Sequence, residues 1–207
     1  IAAMKKNALP ALIILFLSLA HQLSAARNPV VNPAKQTDWD FELLDAKGQK
    51  HTAREWKDAR AVAFFFVGAE CPISNRYAPE INRLVADYSA RGVVFYGVHS
   101  DPDVSPATAL RHARDYGFDF PVLLDPAQTL AGKIGVILTP TAAILSPSGE
   151  LLYRGRIDNR YMDFGKYRGA GVKPDLRLSL EAVLDGKPVP EKFTKPVGCA
   201  LPPRQAQ

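Results

Sequence analysis

The stretch that most constrains the fold runs from Ala61 to Leu84, AVAFFFVGAECPISNRYAPEINRL. Ala61 to Val67 is an unbroken apolar run with three consecutive phenylalanines. A strand exposed on one face would alternate apolar and polar residues, so this run predicts a strand buried on both faces, as in parallel α/β sheets. Gly68 ends the run, and Pro72 follows Cys71. Proline suits the first helical turn, whose amides have no intrahelical partner, and Ile73, Tyr77, Ile81, Leu84 and Tyr88 then recur at helical spacing. The pattern predicts strand, short turn and helix, with Cys71 at or near the N-cap.

That position has a chemical consequence. The free amides and partial positive charge of a helix start favour an anion, so a thiol held there is the better nucleophile. Cys71 is the candidate reactive residue. A buried cysteine elsewhere would read as a small hydrophobe, and it is the order strand, glycine, cysteine, proline, helix that separates Cys71 from that reading. Glu70 opposes ionisation of the neighbouring thiol and Arg76 is a compensating charge.

FVGAECPISNRYAPEI resembles the active-site segment of thioredoxin-fold proteins. Among these it is similar to the redoxin family that groups alkyl-hydroperoxide-reductase-like peroxiredoxins with secreted thiol-disulfide oxidoreductases. In that match Cys71 is the attacking cysteine, Ser74 stands where a thioredoxin has its second cysteine, and Pro79 matches the proline that kinks the active-site helix. A second block, GVILTPTAAILSPSGELLYRGRID from Gly135 to Asp158, is similar to the last hairpin of the family. Thr139-Pro140 takes the place of the cis-proline loop that faces the cysteine, and Ser146 to Gly149 makes the turn. The resemblance covers about Thr37 to Lys187 and implies an α/β, thioredoxin-like fold. Its central mixed β-sheet is flanked by helices, with an N-terminal β extension and an extended C-terminal tail.

Before this block, Met4 is followed by Lys5 and Lys6, an apolar run from Ala8 to Ala20, and Ser24-Ala25-Ala26. This reads as a secretory signal peptide over residues 1–26, with Ile1 to Ala3 preceding the start methionine. Its apolar core is shorter than the ~20 residues a membrane span requires, so no stable membrane insertion is expected after cleavage. Loss of Lys5 and Lys6 takes the formal charge from +5 to +3, a mild excess that does not point to nucleic acid. Residues 27–36 read as a linker and 37–187 as the redoxin domain. Residues 188–207, rich in proline, read as an extended tail carrying Cys199. Export implies an oxidising compartment in which two cysteines can pair.

Within the domain, TDWDFELLDAKGQKHTAREW alternates around a turn at Asp45 to Gln49 and predicts a short hairpin. Val93–His99 and Phe120–Asp125 read as strands, Ala107–Tyr116 and Asp175–Leu184 as helices, and Asn159–Pro174 as a long irregular segment suited to partner contact or to simple solvation. His51 and His112 read as solvated; His99, at a strand end on the ligand side of the sheet, is the histidine of most interest.

Cys71 with Ser74 can attack a disulfide but cannot escape the mixed disulfide without a second thiol. Cys199 is the sole internal candidate for that resolving role, against a static 71–199 staple or an unpaired thiol. Arg156, at the end of the last hairpin, is a candidate stabiliser of the Cys71 thiolate, against an exposed edge-strand arginine. Ser74, Thr139 and Pro140 are candidate substrate-binding residues, a cis-proline facing the cysteine being what such oxidoreductases use to hold an extended peptide. Peroxiredoxins of this fold carry a threonine or serine three residues before the cysteine and an arginine near the last hairpin; Gly68 and Pro140 stand there instead. The reading is an exported thiol-disulfide oxidoreductase acting on protein or small thiols with a separate reductant. Thiol peroxidase is second, and a non-catalytic or copper-binding module third. No cofactor or metal is expected, and no nucleic-acid motif is present.

Overall fold

The computed structural model describes Ile1 and residues 41–203. Apart from Ile1, the leader and linker read over residues 1–36 lie outside the described residues, as do residues 204–207. The chain divides into units 1–32 and 33–207, and all elements below belong to the second.

A short antiparallel pair, β1 (Glu42–Leu44) and β2 (Lys50–Thr52), precedes the core. Asp45 shapes its turn by accepting from the amides of Lys47 and Gln49. Then come β3 (Ala61–Phe66), α1 (Pro72–Tyr88), β4 (Val93–His99), α2 (Pro106–Tyr116), β5 (Val122–Leu124) and α3 (Thr129–Ile134). Two-residue β6 (Leu138–Thr139), β7 (Thr141–Leu145) and β8 (Leu151–Gly155) follow. The last elements are β9 (Tyr161–Asp163), β10 (Lys166–Tyr167), α4 (Asp175–Leu184) and β11 (Cys199–Ala200). The central sheet has the order β5-β4-β3-β7-β8, with β3, β4 and β5 parallel and β7 and β8 antiparallel to their neighbours. This is the mixed sheet flanked by helices of the thioredoxin-like fold.

The phenylalanine run is central because both sheet faces are covered. Ala61, Ala63 and Phe65 face a cluster built from Ile81, Leu84 and Tyr88 of α1 and Leu176, Leu180 and Leu184 of α4. Val62, Phe64 and Phe66 face Leu130 and Ile134 of α3 with Phe41 and Trp56. Burying one such ring stabilises the fold by roughly 1.5–3 kcal/mol, and all six β3 residues are buried. Ion pairs join α4 to the end of α1 and the short turn after it: Arg91 donates twice to Glu181, at 2.7 and 2.8 Å, and Arg177 reaches Asp87 at 2.6 Å.

Several expectations are corrected by tertiary contacts. The segment 159–174 is not irregular throughout, because β9 and β10 form a hairpin on the first turns of α1. There Tyr161 packs on Tyr77 at 5.2 Å, and Arg76 bonds the Tyr167 hydroxyl. His51 is 4% exposed, held by Glu55 at 2.9 Å, and His112 is 5% exposed, held by the Asn75 side chain at 2.9 Å; neither is solvated.

The segment after 187 is also docked rather than free. Arg154 of edge strand β8 donates its amide to Lys192 at 2.9 Å and accepts from Thr194 at 3.1 Å. The Thr194 hydroxyl meets the Tyr153 hydroxyl at 2.7 Å and accepts from the Arg156 amide at 3.0 Å. Gly155 permits this approach, since a Cβ there would collide with Thr194. The tail then crosses to β6, where Cys199 pairs with Thr139 and Ala200 with Leu138. Leu201 donates to Ile137 at 2.9 Å, and Gln128 donates to the Pro202 carbonyl at 2.8 Å. Proline excludes long ladders, not two-residue ones.

Candidate active site

Strand β3 delivers the turn Val67–Glu70, and Cys71 takes the N-cap of α1 with extended backbone angles, φ −80° and ψ 111°. Pro72 occupies the first turn, and the Asn75 amide donates to the Cys71 carbonyl at 2.9 Å as the first helical bond. The side chain does not cap the helix; the thiol turns to the Thr139 carbonyl at 3.4 Å. Cys71 is 4% exposed. Asn75 steadies the turn by donating to the Ala69 carbonyl at 2.9 Å while bonding His112 on its other side.

The partner of the cysteine is the loop between β6 and β7, whose Thr139–Pro140 bond is cis. Thr139 is buried, and Thr141 Oγ1 donates to the Leu138 carbonyl at 2.7 Å, closing the loop. Gly68 lies beneath it. A Cβ at position 68 would sit 2.8 Å from Thr139 Oγ1 and 3.0 Å from Cys71 Cβ, so a side chain there requires the loop or the cysteine to move. Ser74 is 1% exposed and its hydroxyl accepts from the Gly68 amide at 3.1 Å. It therefore braces the turn from inside.

Cys199 arrives from the other side of Thr139. Its pairing across β6–β11 brings its thiol into hydrogen-bonding reach of Cys71, and both cysteines are unbridged. Burial first, and then the adjacent Cys71, push the Cys199 thiol up to about 12, so it holds its proton. Five of the six candidate residues, Cys71, Ser74, Thr139, Pro140 and Cys199, thus meet in one place.

The sixth, Arg156, is engaged elsewhere. Its Nε donates to Asp175 Oδ2 at 2.7 Å, and no hydrogen bond joins it to Cys71 among the described residues. Asp175, itself buried, draws the guanidinium to the start of α4, and Lys173 shares that carboxylate at 3.2 Å. Arg156 thus forms an ion pair between the residue that follows β8 and the start of α4.

His99 ends β4 with 1% exposure, and its ring stands edge-to-face on His112 at 5.0 Å. Neither ring nitrogen has a partner of good geometry, a weak contact with the Val67 backbone aside. Burial, then His112, hold its pKa down at about 3, so it is a neutral core residue near neutral pH. Among the described residues no group of three or more His, Cys, Asp or Glu side chains is placed to hold a metal. No helix among them is long and apolar enough to cross a membrane.

Gly198 and Asn75 are the site residues that sequence reasoning missed. A Cβ on Gly198 would overlap the Thr139 carbonyl and touch Pro140 Cδ at 2.9 Å, so the tail lies on the cis-proline loop through bare backbone. Its signal was the glycine immediately before Cys199. Asn75 carried none beyond its position one turn after Cys71.

A cysteine at a helix start facing a cis-proline loop, on this sheet order, defines a thioredoxin-like redoxin. The chain belongs to the AhpC/TSA family, whose model matches residues 34–154. It is 27% identical over 114 residues to the thiol-disulfide oxidoreductase ResA of Halalkalibacterium halodurans, an alignment covering 55% of this chain and 62% of that protein. The chain therefore spans less than two thirds of that curated relative. Among solved structures, an uncharacterized conserved protein of Geobacillus kaustophilus superposes with TM-score 0.71 at 29% identity, covering 81% of this chain and 90% of the other. A hypothetical protein of Sinorhizobium meliloti superposes with TM-score 0.70 at 28% identity, covering 78% and 90%.

Proposed function

We propose that this chain is an exported thiol-disulfide oxidoreductase in which Cys71 attacks and Cys199 resolves. The observation that carries the reading is the meeting of the two thiols across Thr139. The name of the curated relative, thiol-disulfide oxidoreductase, supports the same chemistry. Export rests on the leader-like composition of residues 1–26.

The reaction balances as a two-electron exchange. The Cys71 thiolate attacks one sulfur of a substrate disulfide, forming a mixed disulfide and releasing the other sulfur as a thiolate, which takes a proton from water. Cys199 then loses its proton and attacks Cys71 Sγ, releasing the second substrate thiol and leaving a 71–199 disulfide. An external dithiol reductant restores both thiols. Run in reverse, the oxidised protein passes its disulfide to a dithiol. The protonated state of Cys199 suits the order of events, since it does not compete as first nucleophile.

Peroxide reduction is the weaker reading because Gly68 has no room for the hydroxyl-bearing side chain that would hold a peroxide oxygen. The test is mass spectrometry of the alkylated protein after one equivalent of an oxidised dithiol or, separately, of hydrogen peroxide. Fast 71–199 disulfide formation with the oxidised dithiol, which is reduced in the exchange, and slow reaction with peroxide is expected. The opposite order would make the chain a two-cysteine peroxidase, and inertness to both would leave a binding module.

A further inference from the structure

The edge of β6 is where an extended peptide would pair beside the cis-proline, and here the chain itself fills it. Cys199 and Ala200 make antiparallel partners of Thr139 and Leu138, and Leu201 continues the pairing onto Ile137. The seat is built, not incidental. Gly198 lies on the Thr139 carbonyl at a distance that no side chain allows, and Gln128 clasps Pro202 beyond it. Upstream, Lys192 and Thr194 are hydrogen-bonded to the backbone of Arg154 of β8, and the Arg154 guanidinium covers the Phe193 ring at 4.9 Å. The strand is anchored at both ends and leaves Cys71 4% exposed.

We propose that the segment Val197–Leu201 is a resident strand that makes this chain selective for small, non-peptidic disulfides over protein disulfides, with Gly198 as the residue that sets the selectivity. This rests on the thiol-disulfide reading above and narrows its substrate class. A protein disulfide needs the β6 edge to align its backbone, and must first displace the strand. A small disulfide needs only a path to one sulfur. The resident strand also carries the resolving thiol, so a small substituent on Cys71 is expelled without any backbone rearrangement.

The experiment uses Cys199→Ser as a trap that stops at the mixed disulfide. Two further proteins are compared with it: one adds Gly198→Val, which cannot seat on Thr139, to the Cys199→Ser change, and one ends after Pro196 and so lacks the strand and residue 199 together. Each is mixed with 2-hydroxyethyl disulfide or with insulin, and the rate of adduct formation on Cys71 is followed by mass spectrometry. Cys71 attacks one sulfur of either probe, so each adduct is matched by one released thiol. The trap alone is expected to favour the small disulfide. In both strand-free proteins the insulin rate should rise relative to the small probe by at least about tenfold, the scale set by losing a few strand hydrogen bonds. The Leu201 amide should be protected from hydrogen exchange in the parent protein and lose protection in the Gly198→Val protein. An unchanged rate ratio in both strand-free proteins, with Cys71 reactive throughout, would overturn the strand's role alone. Cys71 inert to both probes in every protein would overturn the oxidoreductase reading and this inference with it.

Discussion

The Cys71 thiol lies 3.4 Å from the carbonyl of Thr139, and the same Thr139 is paired across β6–β11 with Cys199. One residue thus receives the Cys71 thiol and positions Cys199, the thiol proposed above as resolving. The effects of changing each part can be separated.

The two cysteines should fail differently. Cys71→Ser is expected to abolish disulfide turnover, while Cys199→Ser should keep one attack and stop at a stable mixed disulfide. Intact mass after a single equivalent of substrate distinguishes them. Equal loss of the first attack in both proteins would remove the assigned order.

Gly68→Thr introduces the side chain that a peroxide site would need, into a space bounded by Thr139 Oγ1 at 2.8 Å and Cys71 Cβ at 3.0 Å. Overpacking of this kind costs about 1–3 kcal/mol. A lower urea midpoint and no gain in peroxide consumption are expected. A gain would show that the loop yields and that the peroxide chemistry was blocked by one residue.

Thr194 accepts from the Arg156 amide at 3.0 Å and meets the Tyr153 hydroxyl at 2.7 Å, so Thr194→Val leaves a half-buried amide without its acceptor. A loss of about 1–3 kcal/mol in denaturant unfolding is expected. The Tyr153 hydroxyl retains the Arg156 carbonyl at 2.6 Å, which keeps the effect from spreading. An unchanged midpoint would mean that the tail does not hold β8.

Acid should destabilise the fold from the side of His99. Its folded pKa of about 3 lies below an ordinary value of 6.5, so between these the unfolded chain binds a proton that the folded one does not. Stability is therefore full above about pH 6.5 and falls as pH drops, by up to about 1.4 kcal/mol per unit. His112, which faces it, is lowered by burial and adds in the same direction. Urea midpoints at pH 7 and pH 4.5 should converge in His99→Leu. An identical acid slope in that protein would place the sensitivity elsewhere.

Much of this molecule was legible because its information is local. The apolar run of β3 needs both faces covered wherever it goes, Pro72 and the helical spacing after it specify α1, and the β7–β8 turn begins and ends where Ser146 and Gly149 place it. The cis-proline was readable from its place in the family pattern, and the structure has it at Thr139–Pro140. His51 and His112 differ from their expected exposure because exposure is a property of what packs on top: polar partners, Glu55 and Asp45 around one and Asn75 around the other, make burial of an imidazole tolerable. The partner of Arg156 was not legible in the sequence, because Asp175 is close to it only after α4 has docked.

The sequence by itself determined that one cysteine would stand at the start of a helix behind a buried strand, because hydrophobic periodicity and proline chemistry act over a few residues. Where the second cysteine would lie was decided only in the tertiary structure. The tail has no periodicity of its own, and its path follows from unpaired edges at β8 and β6 together with two glycines, Gly155 and Gly198, that let backbone meet backbone.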